Sequence, residues 1–392
     1  MRSVKRGGRN CENPLAGSLV HTIGTDRARA LATRLRVGIW TVRMPLLFTT
    51  LLAFSTALAA PSARAADKPE LVVYAYDTLT AKHGLGPDFK IRFEAKCGCT
   101  LKLLPSGDGG QLLSRIQLDQ ERGKSIAQVA WGLDQNIWPR AQAFADPWDK
   151  WRPAGFDRID QRIRVGQAGA GFLPFDYGAF AFMADTEALK EHGLTPPHSL
   201  RELLAPGWKR NLILEDPRTS TPGLAFVLWT SQALGAGFAP FWTALHSQWL
   251  TLSPGWDGAY GLFLKKEAPL VWSYTSSQAY HVAHGDLTGR YQALAFEEGQ
   301  PVQIEGAMVL KSVTDPKLKV LARQFLEFLL SDEAQAAIPE KNWMLPAIAS
   351  THLPASFAKV PVAKTLLRVE KPAAESEALL RQWAQAIAAP AH

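Results

Sequence analysis

Two aromatic residues four positions apart, Trp256 and Tyr260, follow a Ser253-Pro254-Gly255 turn and so share one face of the helix which that turn opens. Tyr274 and Tyr280 flank a second polar turn, Thr275-Ser276-Ser277. Rings grouped beside hydroxyls and carboxylates suit a flat, cationic heteroaromatic ligand. Each well-placed cation–π contact contributes roughly 0.5–2 kcal/mol, and a carboxylate such as Asp134 can accept from an amino group. Several contacts are needed, because nanomolar affinity requires about 12 kcal/mol. The turn Thr219-Ser220-Thr221-Pro222-Gly223 opens another helix and offers backbone donors at a positive dipole end, where an anionic group is welcome. Most Trp side chains are packing residues; of the 12 that follow residue 65, only those at strand ends beside Asp and Ser are read as facing a ligand.

Other chemistry lacks its signatures. There is no GxxxxGK[ST] phosphate loop, no strand-linked GxGxxG, no HExxH and no GxSxG, so nucleotide hydrolysis and the common hydrolase plans lose support. His281, His284 and Asp286 have no recognised metal-ligand spacing and read as surface polarity, so no metal site is expected. The acidic residues Glu297 and Glu298 read as a solvated loop. Cys97 and Cys99 either close a tight Cys-x-Cys disulfide or stay reduced; as thiolate nucleophiles they have only Lys96 as an adjacent cation.

The elements that must hold these groups are short. Apolar runs at 71–76, 129–133, 212–214 and 270–274 each end in polar residues: Asp77 and Thr78, Asp134, Glu215 and Asp216, Thr275 and Ser276. Each then meets a helix or turn signal, the pattern of an α/β protein with largely parallel sheets. Ligands in such folds gather beyond the carboxyl ends of strands, so these endings are where a site is sought. Helices are expected from Thr221 as N-cap with Pro222 at the first position, and from Asp315 with Pro316. The aromatic, Gly-punctuated stretch 172–183 suits a long strand passing between two lobes, with a return near 302–310.

The 392 residues, 47% hydrophobic and 20% charged, describe a globular chain large enough for two or three domains. The formal charge of +7 resembles a nucleic-acid signal until it is divided: residues 1–65 hold 10 Lys+Arg against 2 Asp+Glu, and the rest hold 33 against 34. No electrostatic case for nucleic acid survives. Arg34, Arg36 and Arg43 precede an apolar run at 44–60, and Ala63-Arg64-Ala65 supplies a small-x-small site, so 1–65 reads as an export leader cleaved after Ala65. Thr49, Thr50, Ser55 and Thr56 dilute that run and weigh against a membrane anchor. The leader is long for a signal of about 15–30 residues, which leaves room for a start downstream of Met1.

In combination, YAYD at 74–77, KCGC at 96–99, GLD at 132–134, PFDYG at 174–178, EDPRTSTPG at 215–223, AYGLFLK at 259–265, SYTSS at 273–277, AYH at 279–281 and NWMLP at 342–346 carry a resemblance. The chain resembles the periplasmic thiamine-binding proteins of bacterial ABC importers, within the type II periplasmic binding proteins, over nearly everything after the leader. The resemblance implies two α/β lobes, each a mostly parallel sheet flanked by helices, joined by crossing hinge strands and closing on thiamine or its phosphates. It places ligand-contacting aromatics at Tyr76, Trp256, Tyr274, Tyr280 and Trp343, with Ser220 in the turn facing the phosphate end. Asp77, Asp134 and Thr221 complete the expected site, and His83 stands where the family commonly has Trp.

The expected organisation is 1–65 leader, 66–173 with 303–392 as one lobe, and 174–302 as the other. The expected protein is a periplasmic monomer without cofactor or catalysis, passing thiamine to a membrane permease. Two other readings are an enzyme like the thiamine-degrading transferases, with a Cys nucleophile, and a ferric-ion binder using Tyr274 and Tyr280.

Overall fold

The computed structural model describes residues 68–148, 151–166, 170–348, 352–361 and 366–389. The expected leader and its cleavage after Ala65 lie outside the described residues.

Among these, the apolar runs become strands close to their expected bounds. They are β1 Glu70–Ala75, β2 Thr100–Pro105, β3 Val129–Asp134, β4 Leu173–Asp185, β5 Leu212–Glu215, β6 Trp249–Ser253, β7 Leu270–Tyr274, β8 Tyr291–Leu294, β9 Val302–Val309 and β10 Leu345–Pro346. The strand order is β2-β1-β3-β9-β4-β7-β5-β6, with β8 and β10 also paired to β4. β1 runs parallel to β2 and β3, and β5 runs parallel to β6 and β7. Parallel neighbours need crossovers, and helices supply them: Leu85–Cys97 and Gly109–Glu121 on one side, Thr221–Leu234, Phe238–Leu245 and Trp256–Leu264 on the other.

The two parallel groups meet through antiparallel strands. Residues 173–179 of β4 pair with β9, and residues 180–184 pair with β7, so one continuous strand leaves the first group and enters the second. This is the expected crossing strand, and β9 is its return, pairing with β3 on its other edge. β4 is buried nearly throughout, as a strand covered on both faces must be.

Each group has its own aromatic core. Trp131 stacks on Phe89 at 5.5 Å and meets Phe175 and Phe325 edge-on. Trp272 stacks on Trp229 at 5.3 Å and on Phe180 at 5.2 Å. Full burial of one such ring contributes about 1.5–3 kcal/mol, so the packing role expected for most Trp is what these rings perform. The C-terminal helix Ala373–Ala388 sets Trp383 against Trp242 and packs on the Phe238–Leu245 helix. This helix therefore belongs with the β5–β7 group rather than with the lobe to which 303–392 was assigned, because its Trp finds its apolar partner there.

The structure adjusts one local expectation, meets a second and decides a third. Ser220, not Thr221, caps the Thr221–Leu234 helix, its Oγ accepting from the Gly223 N–H. Asp315 caps the Pro316–Leu329 helix as expected. Cys97 and Cys99 form a disulfide, with Gly98 between them at φ 63°, a left-handed turn that glycine makes without strain.

Candidate functional site

The parallel strands end in the residues that sequence singled out, and those ends face one another. Beyond β1, Tyr76 donates its phenol proton to Glu305 Oε2 on β9 at 2.7 Å. Asn342 Nδ2 donates to Tyr76 Oη at 3.1 Å and to Asp176 Oδ2 on β4 at 2.7 Å. Trp343 follows at φ 56°, a left-handed backbone that costs a bulky residue about 1–3 kcal/mol. At the end of β7, Tyr274 donates to Gln303 Oε1 at 3.0 Å, and Gln303 Nε2 donates to Glu305 Oε1 at 2.8 Å. Tyr76, Tyr274 and Trp343 thus hang from one hydrogen-bonded set.

The remaining rings join it by contact. Trp256 lies 6.1 Å from Tyr274 and stacks on Tyr260 at 4.8 Å, the four-residue spacing acting as expected. Its indole N–H donates to Ser273 Oγ at 2.9 Å, which fixes the ring edge as well as its face. Tyr280 meets Trp343 edge-on at 5.4 Å. Tyr280 is linked to Trp256 through His281 and Tyr260, and Tyr76 joins through Glu305, so the five rings expected to contact ligand belong to one connected set, with Tyr76, Trp256 and Trp343 its part-buried members.

Behind Trp256, Tyr260 Oη pairs with His281 Nε2 at 2.8 Å, and His281 lies flat on Tyr291 at 3.8 Å. His281 is only 5% exposed, which corrects its reading as surface polarity. Burial pushes its imidazole down to about 4, so it is neutral at ordinary pH. No group of three or more His, Cys, Asp or Glu among the described residues is arranged to hold a metal ion.

Carboxylates line the same region. Asp134, Asp176, Glu215 and Glu305 are buried and Asp108 is part-buried. Among the described residues none of the five pairs with Lys, Arg or His. Burial lifts all of them above the usual carboxylate range, Asp134 and Glu305 to about 7. Neither carboxylate oxygen of Glu215 has a hydrogen-bond partner among the described residues.

Five expected residues are engaged or placed differently from the sequence reading. Asp134 turns Oδ1 to the backbone N–H groups of Asn136 and Ile137, both at 3.0 Å, so it secures the turn after β3 rather than presenting a free acceptor. The Ser220 and Thr221 donors are already engaged. Asp108 accepts from Ser220 Oγ at 2.9 Å, Thr221 N at 3.1 Å and Trp256 N at 3.1 Å, because three helix starts converge there and their partial positive charge attracts a carboxylate. His83 is exposed on the turn before the Leu85–Cys97 helix and shares no hydrogen bond or ring contact with the set among the described residues. Asp77 accepts from Gly107 N at 2.8 Å at the exposed rim.

Sequence reasoning missed Asp108, Asp176, Gln303, Glu305 and Asn342. The available signal was a polar residue inside a buried run, as in Pro174-Phe175-Asp176 and in Gln303-Ile304-Glu305. With Cys97 and Cys99 bonded, neither offers the thiol nucleophile that the enzyme reading required.

Comparison with known proteins gives three findings. Residues 76–336 match the model of the bacterial extracellular solute-binding protein family. The chain is 41% identical over 310 residues to the thiamine-binding periplasmic protein of Brucella melitensis, covering 79% of this chain and 88% of that one. Among solved structures, a periplasmic thiamin binding protein matches with TM-score 0.73 and 38% identity, covering 82% of this chain and 96% of the other. The apo ferric ion-binding protein A of Pasteurella haemolytica matches with TM-score 0.64 at 16% identity, covering 81% of this chain and 97% of the other, a likeness of fold alone.

Proposed function

The chain belongs to the bacterial extracellular solute-binding proteins, and from that premise we propose that it captures thiamine in the periplasm and delivers it to an ABC-type import permease. The observation that carries this reading is the connected set of Tyr76, Trp256, Tyr274, Tyr280 and Trp343, backed by carboxylates without a protein cation. A thiazolium is a permanent cation. Aromatic faces attract it through their quadrupoles, and the uncompensated acids add a negative field in a low-dielectric setting.

Capture is by closure rather than by bond breaking. Two lobes, centred on the two parallel strand groups, contact one ligand together, and the free energy of those shared contacts favours the closed arrangement. The leader is removed near Ala65, and the exported protein acts as a monomer without cofactor. A coloured complex with ferric ion would favour the iron reading, and cleaved pyrimidine product on incubation with thiamine and an amine would favour the enzyme.

The test is calorimetric titration of thiamine into the purified exported protein. We expect one site with submicromolar affinity; absence of any binding heat and of any thiamine-dependent rise in melting temperature overturns the assignment.

A further inference from the structure

Asp176 on β4 and Glu305 on β9 are register partners in the antiparallel ladder, so their carboxyl groups are brought together inside the sheet where the two strand groups join. Asp176 is fully buried and Glu305 is 4% exposed. Their neighbours come from every element packed around them. Tyr76 approaches from the end of β1, Asp134 from β3, Tyr274 and Gln303 from β7 and β9, Asn342 from the end of the Asp332–Lys341 helix, and Asp108 from the loop after β2. These neighbours are neutral or acidic, and neither member of the pair has a cationic side chain in ion-pairing distance among the described residues.

Two carboxylates buried together cannot both ionise without a counter-charge, because each raises the cost of charging the other. Asp176 Oδ1 shows the same thing by geometry, since it has no donor among the described residues. A proton carried by the pair gives that oxygen its partner. Burial pushes both groups up, Glu305 to about 7; the charge of Glu305 adds to the rise at Asp176, while the hydrogen bond from Asp176 favours the ionised form of Glu305.

The pair also touches the ligand-facing rings. Glu305 accepts from Tyr76 and, through Gln303, is tied to Tyr274; Asp176 accepts from Asn342, the residue before Trp343. Resting on the thiamine-binding reading above, we propose that Asp176 and Glu305 are specificity-determining residues. They hold one proton between them in the ligand-free protein and release it to solvent when a permanently cationic ring enters. The quaternary nitrogen cannot lose its charge, so it supplies the cation that the chain leaves out. The proton departs as the carboxylate forms, and charge balances. A neutral ring of the same shape gains the stacking contacts but not this term.

The experiment is titration of wild-type protein with thiamine at pH 6.5 in buffers of low and high ionisation enthalpy, phosphate and Tris, repeated for affinity between pH 6 and pH 8. We expect the heat to vary with buffer identity in the sense of proton release, and the affinity to tighten about tenfold across that range, the limit for one linked proton titrating near 7. Glu305→Gln should abolish the buffer dependence, and an isostere of thiamine with an uncharged five-membered ring should bind wild type without it. Thiamine binding with a heat independent of buffer and an affinity flat from pH 6 to pH 8 overturns this inference while leaving the thiamine assignment standing. No binding at any pH overturns the assignment and the inference with it. The wild-type buffer series needs no variant to fold.

Discussion

Strand β4 carries two buried aspartates, one near each end, and they are treated in opposite ways. Asp185 receives Arg290, whose Nε lies 2.8 Å from Oδ1, and it also caps the Thr186–Glu191 helix through the N–H groups of Glu187 and Ala188. Burial alone would raise its carboxyl, but the Arg290 hydrogen bond and those backbone donors outweigh it and hold the group below the usual range. Asp176 has one amide donor, Asn342, a second carboxyl as its facing neighbour, and no cation among the described residues. The same residue type in the same strand is thus closed to further ionic partners at one end and left wanting a positive charge at the other. A chain that can place an arginine against one buried aspartate does not lack the means at the other, and the proposed cationic ligand would supply what Asp176 is without among the described residues.

Breaking the compensated end should have the largest effect. Arg290→Ala leaves Asp185 buried without its partner and should lower unfolding free energy by about 3 kcal/mol, the lower range for breaking a buried pair. Chemical denaturation measures this, and thiamine affinity should stay within about twofold, since Arg290 lies on the strand group's far edge beside β8. A large loss of affinity in a folded variant would erase the contrast between the two ends.

Removing rings at the other end should act on binding instead. Trp256→Ala and Trp343→Ala should each weaken thiamine about tenfold or more, roughly 1.4 kcal/mol. Calorimetry finding both variants unchanged would remove these rings from the site.

The smallest expected effect is the sharpest discriminator, because the two ends have opposite pH signs. A carboxyl raised in the folded state contributes stability below its unfolded value, and that contribution is lost as pH rises through the folded value, about 7 for Glu305. The ligand-free protein should therefore lose stability on the order of 1–3 kcal/mol between pH 5 and pH 8, and Asp176→Asn should flatten that slope. Asp185 behaves inversely: its contribution is present above the unfolded value near 4 and is lost as pH falls through its lowered folded value. Melting curves over pH 3–8 that show no difference between wild type and Asp176→Asn would sink the shared-proton account.

Much of the fold was legible because buried parallel strands write themselves as short apolar runs; β7 at 270–274 coincides with its run, and β9 answers the expected return. The rings were legible as a class, since Trp and Tyr beside polar strand ends have few other uses. What stayed hidden depends on pairings between distant parts of the chain. Asp176 and Glu305 acquire meaning only when β4 and β9 lie side by side. His281 looked solvated because the rings that bury it, Tyr260 and Tyr291, come from separate elements. The cap slipped by one residue because Ser220 and Thr221 are both good N-caps, and only the helical hydrogen bonds choose between them.

Asp108 has a bearing on which form of the vitamin is welcome in the proposed site. Its carboxylate already rests on the amides and hydroxyl that a phosphate would seek, so an esterified tail arrives at an occupied seat and must evict the tenant before it can settle. The bare alcohol makes no such demand. Discrimination among the esters is then a contest between two anions, one tethered to the backbone and one freely diffusing, for a single set of donors.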